Sequence, residues 1–276
     1  MNTTTAISTT RRERSEQARA RAIIRFNGLL FHSLAAASFL EAAVPADATR
    51  LGDVVAARPE VEHWLEQVWW PRRAMRGRRL RDYLEATWPE FDWSAAYQEY
   101  LECCRPRKER GMGVALGALG QCVAAAQAAV FYRALARSAD DPALRVLARE
   151  ATHDHSECFD YFRAVFERRV KEERMGLITG WRAVHAACRA ARDSSVRAAF
   201  EPLGRHWRGA PTVPALDYGE FRARMAALIR RHAGLGRIER LLFLPWLEQE
   251  RVVPEPLPPA KDAERRLLPV SLPVAA

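Results

Sequence analysis

The chain predicts an all-α fold, a bundle of long helices followed by additional C-terminal helices. Three observations predict it. Stretches of about 25 residues or more repeat apolar residues at three- and four-residue spacing. No segment alternates with period two over a useful length, so strands are not expected. A tight turn, ADDP ending at Pro142, joins the third long stretch to the fourth and makes them antiparallel neighbours. At 276 residues the chain can bury a sizeable core, and 49% apolar with 28% charged residues suits a globular protein.

Each element has its own signal. Residues 1–16 carry Arg11, Arg12 and Arg14 among polar residues and read as a disordered basic arm. The first helix is expected from about Glu16 to Ala43, stopped by VPADA. A second opens at Pro59, a proline at a first-turn position, and runs through LRDYLEA. Pro71 lies inside it, and its missing N–H should kink or widen the helix there. WPEFDW, ending at Trp93, is a turn-rich link to a shorter helix, SAAYQEYLECC. The third long helix covers about Lys108 to Ser138 and the fourth Pro142 to about Glu173, the latter capped by Asp141. A fifth spans Ile178 to about Trp207 with a break at Pro202, followed by helices in YGEFRARMAALIRRHA and IERLLFLPWLEQ. Residues 17–252 thus form one helical domain, and 253–276 a Pro-rich extended tail.

Composition narrows the function classes. No apolar run reaches the roughly 20 residues that span a bilayer, and the N-terminus lacks the apolar region of a secretory signal, so a cytoplasmic protein is expected. The five cysteines, Cys103, Cys104, Cys122, Cys158 and Cys188, form no CxxC pair and are expected as buried thiols. A net charge of +9 attracts acidic partners. Nucleic acid is not favoured, because no aromatic–basic interleaving of a known reader is present. GMGVALGALG looks like a nucleotide loop, but no strand precedes it and its glycines fall on one helical face.

Bundles build their sites from polar residues on inward stripes. On the second helix Trp69, Arg73, Arg76, Leu80 and Tyr83 share one face, so two arginines interrupt an apolar stripe. On the third, Val114, Ala118, Gln121, Ala125, Ala128, Tyr132 and Leu135 face inward. On the fourth, Ala148, Ala151, His155, Cys158 and Phe162 do so, with Asp154 beside them. Glu150 and His153 have the ExxH spacing of a metal pair, but they belong to the polar, outward face.

Three stretches give the chain a family resemblance over roughly residues 25–252. In WWPRRAMRGRRLRDYL, Trp69, Gly77 and LRDYL recur in the family's order. In FYRALARSADDPALRVLAREATHDHSECFDYF, Leu135, Ala136, Asp141, Pro142, Asp154, Tyr161 and Phe162 do. APTVPALDYGEF and LLFLPWL are similar to its C-terminal part. The chain resembles the soluble acyl-carrier-protein desaturases, type 2 fatty acid desaturases with a ferritin-like fold. That resemblance implies a ferritin-like bundle, two irons between four helices, an acyl substrate on an acidic acyl carrier protein, and a homodimer.

The ligand positions depart from the family pattern. Its second-helix glutamate and histidine fall on Arg73 and Arg76, its third-helix glutamate on Ala125, its fourth-helix ligands on His155 and Cys158, and its first-helix glutamate near Ala35. Two ligands have become cations, so neither cofactor nor metal is expected in the usual form. Asp154, retained, is expected to pair with Arg76 in the interior. Arg73, with no acid on its own stripe, is expected to hold an anionic ligand group, with His155 as acid or base and Cys158 as nucleophile. Arg73, Arg76, Asp154, His155 and Cys158 are therefore the candidate catalytic residues. A metal-independent enzyme acting on an acyl or polyketide-like substrate is the first expectation, with an open cavity lined by Arg73, Tyr132, His155 and Cys158 as its signature. The alternatives are a metal-dependent oxidoreductase or desaturase, iron being one possible metal, with an altered ligand set (for example His155, Cys158 and His32 or Glu41), and a non-catalytic binding or scaffold subunit.

Overall fold

The computed structural model describes residues 22–43, 59–104, 114–172 and 194–236. The basic arm, the Pro-rich tail, Cys188, most of the fifth helix and LLFLPWL lie outside the described residues. Among the described residues the fold is all-α, and the only pairing outside helices is an isolated antiparallel bridge between Phe91 and Trp207.

The first helix, α1, is Gly28–Ala42 and is shorter than the sequence suggests. Asn27 interrupts the helical path: its side chain accepts a hydrogen bond from the Leu30 N–H at 3.0 Å and caps a fresh start. α2 is Pro59–Trp64, and α3 is Trp70–Thr87. Between them Leu65–Trp69 is a π-helical turn, closed by Trp70 N–H donating to the Leu65 carbonyl. Pro71 explains it: a ring there clashes with an α-helical carbonyl at Gln67, and one wide turn removes the conflict without breaking the rod.

α4 is Trp93–Cys103, capped by Asp92, whose carboxylate accepts from the Ala95 N–H at 3.2 Å. α5 is Val114–Ser138 and α6 is Pro142–Glu172. Asp141 caps α6 by accepting from the Ala143 N–H at 2.9 Å, while its other oxygen accepts from the Tyr83 hydroxyl at 2.9 Å and ties that turn to α3. α7 is Ser194–Phe200, followed by a 3₁₀ turn at Glu201–Gly204 that contains Pro202. α8 is Tyr218–His232, capped by Asp217 and ended by Gly234 at φ +62°.

The helices pack as two pairs, α1 on α3 and α5 on α6, with α3 also touching α6 and α8 lying on α5. None of the described helices is long and apolar enough to cross a membrane. The apolar core divides into a large cluster, with Phe31, Leu34, Leu80, Leu84, Leu135 and Leu147, and a smaller one, with Leu65, Trp69, Cys122, Ala125, Cys158 and Phe162. Along α3 the smaller cluster ends at Trp69 and the large one starts at Leu80, so Arg73 and Arg76 fall between them. Along α6 His155 falls between Ala151 and Cys158 in the same way.

Gly77 sets the distance between α1 and α3. A Cβ there would lie 3.0 Å from the Ala42 backbone nitrogen and 3.1 Å from its Cα. Backbone atoms cannot swing aside as a side chain would. Gly77→Ala is therefore expected to lose about 1–2 kcal/mol, overpacking outweighing the gain in helix propensity, as a lowered denaturant midpoint. The close approach also places Glu41, the neighbour of Ala42, against Arg76, the neighbour of Gly77.

Candidate functional site

Four helices send one polar group or more into the layer between the two apolar clusters. Glu41 is at its centre and is 4% exposed. It comes from the last turn of α1, a helix that is apolar along most of its length. Arg76 on α3 grips one carboxylate oxygen, Oε2, donating from Nε at 3.2 Å and from Nη2 at 3.1 Å. Arg73, one turn earlier, brings its Nε to 3.6 Å from the same oxygen and donates from Nη2 to the Leu40 carbonyl. The other oxygen, Oε1, receives the Tyr132 hydroxyl of α5 at 3.3 Å and His155 Nε2 of α6 at 2.6 Å. An ionised carboxylate only accepts, so His155 carries a hydrogen on Nε2. The Tyr132 and His155 rings stack, with centroids 5.5 Å apart and planes 12° from parallel.

Arg76 joins a second carboxylate, donating from Nη1 to Asp154 Oδ2 at 2.7 Å. The expected Arg76–Asp154 contact is thus present, and it is one arm of a larger network. Asp154 lies toward the rim, where Arg72 Nη1 approaches its other oxygen at 3.8 Å and also pairs with Glu157. Arg73 is held from the side by the Trp69 ring, with its Cζ 4.8 Å from the ring centroid.

The electrostatics follow from burial and charge together. Burial alone would raise the Glu41 carboxyl, but His155, Arg76 and Arg73 outweigh it and hold it far below the usual carboxylate range. Burial works against the Arg76 cation too, and Glu41 more than restores it. The Tyr132 hydroxyl is pushed well up, first by burial and then by the Glu41 charge. Two inner guanidiniums, two carboxylates and two hydrogen-bonding rings therefore form one connected polar network.

Arg73 and Arg76 face inward, as their place on the stripe of α3 predicts, and are 8% and 4% exposed. Other expectations change. Arg73 has an acid partner, Glu41, which lies on α1 and not on its own stripe. Ala35 is fully buried in the large apolar cluster, and Glu41 is the carboxylate that α1 supplies. Cys158 is 3% exposed, and burial pushes its thiol up to about 11, the lowering effect of Arg76 being smaller. That environment disfavours the thiolate form. His32, considered as a ligand partner, stacks on Phe200, and its Nδ1 lies 2.7 Å from the Gly28 carbonyl.

Glu150 and His153 face outward as expected: Glu150 pairs with Arg79 at the surface, and the His153 side chain is 74% exposed. Among the described residues no three His, Cys, Asp or Glu side chains converge as a metal-holding group. A cleft of about 420 Å³ lies elsewhere, lined by arginines of α5 and α6, and none of the network residues borders it.

Spacing places Tyr132 on the inward stripe of α5, whereas Glu41 is the member of the network that no stripe predicts. A signal for Glu41 exists: it is the only acid in GLLFHSLAAASFLEA, so it must be buried with partners or sit where the helix leaves the core. In comparisons with known proteins, no family model, no curated protein and no solved structure matches the chain. The assignment therefore rests on the residues themselves.

Proposed function

We propose that this chain is a ferritin-like, desaturase-like bundle in which a salt-bridge network stands where that family holds two irons, and that it serves as a non-catalytic binding or scaffold subunit for an acidic partner. One observation carries the reading. Glu41, Arg73, Arg76 and His155 converge from three helices in the middle of the bundle. Three of these four stand at positions that the resemblance assigns to metal ligands.

The residues do not fit a di-iron group. Such a centre needs several anionic oxygen donors. Here both oxygens of the inner carboxylate already accept hydrogen bonds, from Arg76 on one side and from Tyr132 and His155 on the other. A divalent ion on Glu41 would sit beside two guanidiniums and be repelled by both.

The groups suited to non-oxidative chemistry are also engaged with one another. His155 directs Nε2 at Glu41, Arg76 holds two carboxylates, and Cys158 stays a thiol at neutral pH. This favours a structural role for the network over the metal-independent enzyme. The net charge of +9 complements an acidic carrier protein, the partner the resemblance implies.

Protein purified without chelator and mixed with an acyl-loaded carrier protein tests the reading. We expect less than about 0.1 equivalent of iron, zinc, manganese or copper, and an association that weakens with salt. The acyl chain should keep its mass. Two equivalents of bound metal, or a changed acyl mass, would overturn the proposal.

A further inference from the structure

Away from the network, α5 and α6 form a second polar feature where they meet the end of α8. Arg133, Ala136 and Arg137 on α5 and Arg145, Arg149 and Thr152 on α6 line a cleft of about 420 Å³. Arg133 and Arg137 are four residues apart, as are Arg145 and Arg149. Each pair therefore occupies one helical face, and the turn before Pro142 folds the two faces together. A volume of that size suits a small molecule.

Three of these arginines are positioned by backbone carbonyls. Arg133 donates from Nε to the Ala233 carbonyl at 2.7 Å. Arg137 donates from Nη1 to the His232 and Ala233 carbonyls at 3.0 and 3.1 Å, capping the negative end of α8. Arg145 donates from Nε and Nη2 to the Ala139 carbonyl at 3.3 and 3.0 Å. Gly234 permits the contact with α8, since a Cβ there would come within 2.8 Å of Arg137 Nη1. Carbonyls fix Arg137 and Arg145 without neutralising them. Among the described residues no carboxylate pairs with Arg137, Arg145 or Arg149, whereas Arg72, Arg76, Arg79 and Arg81 on α3 each have one. Asp141, in the adjoining turn, accepts from Tyr83 and caps α6.

The guanidiniums of Arg137, Arg145 and Arg149 around one concave surface repel one another unless an anion joins them. Their planar forks match phosphate oxygens, and holding them by carbonyls lowers the entropy cost of binding. We infer that this cleft is a binding site for a small anion carrying two or more phosphate groups. The site is independent of the Glu41 network and of the role proposed for it.

Titration calorimetry on the full chain at about 150 mM salt, where diffuse surface attraction is screened, tests the site. Inorganic pyrophosphate and ADP are the probes, with orthophosphate as the single-phosphate comparison. Saturable binding of pyrophosphate or ADP at one site is expected, tighter than orthophosphate. ADP binding more tightly than pyrophosphate would identify a nucleotide as the source, and the reverse would identify free pyrophosphate. Arg149→Gln removes an exposed side chain with no hydrogen bond to lose, and should weaken binding by about tenfold or more. Arg197→Gln on α7, which removes a positive charge outside the cleft, should leave binding unchanged. Absence of saturable binding, orthophosphate binding as tightly as both probes, or equal weakening by the two variants would overturn the assignment.

Discussion

Replacing Glu41 with alanine is expected to lower the unfolding free energy by about 3–5 kcal/mol, the largest effect of any single substitution in the network. The reason is the number of groups that depend on one carboxylate. Without it, Arg76 loses one of its two carboxylates, Arg73 loses Glu41, and the His155 and Tyr132 donors lose their acceptor. Glu157→Ala is the comparison: it removes an acid at the exposed rim and should cost about 0.5 kcal/mol or less. Asp154→Ala should fall between them, near 2 kcal/mol, because that carboxylate is partly hydrated. Denaturant midpoints rank the three. A Glu41→Ala protein as stable as the parent would contradict the central position of that carboxylate.

The second large effect is on acid stability. The folded protein holds the Glu41 carboxyl far below its ordinary value of 4.5. A carboxyl depressed by folding contributes stability that is fully present above its unfolded pKa and is lost as the pH falls toward its folded pKa. The loss from this group therefore begins near pH 4.5 and continues through the acid range. One proton taken up on unfolding gives a slope of up to about 1.4 kcal/mol per pH unit. Glu41→Gln removes that proton. It should start less stable at neutral pH, yet its stability should decline less steeply below pH 4.5 than the parent's. Denaturant unfolding at a series of acid pH values reads the difference, and parallel slopes would show that Glu41 is not the depressed group.

The helices were legible in the sequence because their signals are local. The three- and four-residue apolar spacing of α3, α5 and α6 and the capping Asp141 with Pro142 each act within a few residues. Pro71 indicated a disturbance, and its form, a wide turn at Leu65–Trp69, depended on which carbonyl the ring would meet. The start of α1 at Asn27 was hidden, since the apolar pattern runs on through Ile23 and Ile24 without a marked change of period.

The site was legible only in part. Arg73, Arg76, His155 and Cys158 could be placed on inward faces from spacing alone, with Asp154 beside them. Their partner could not, because Glu41 lies 35 residues from Arg76 and 114 from His155 in sequence. That pairing is a fact of how α1 crosses α3 at Gly77, and helical periodicity carries no information about crossing. Nor could spacing tell that Cys158 would be enclosed with Trp69 and Phe162, which raises its thiol pKa against the pull of Arg76. The arginines of α5 and α6 form no run in the sequence, and only the fold gathers them into one cleft with the end of α8.

The central claim is that an ion network holds the middle of this bundle. A thermodynamic cycle built from Glu41→Gln, Arg76→Met and the double variant measures it most directly. Each single change takes from the other residue a charged partner that the double change makes unnecessary, so the account predicts a coupling of about 2 kcal/mol between the two positions. Stability losses that simply add, with a coupling within about 0.5 kcal/mol of zero, would contradict it.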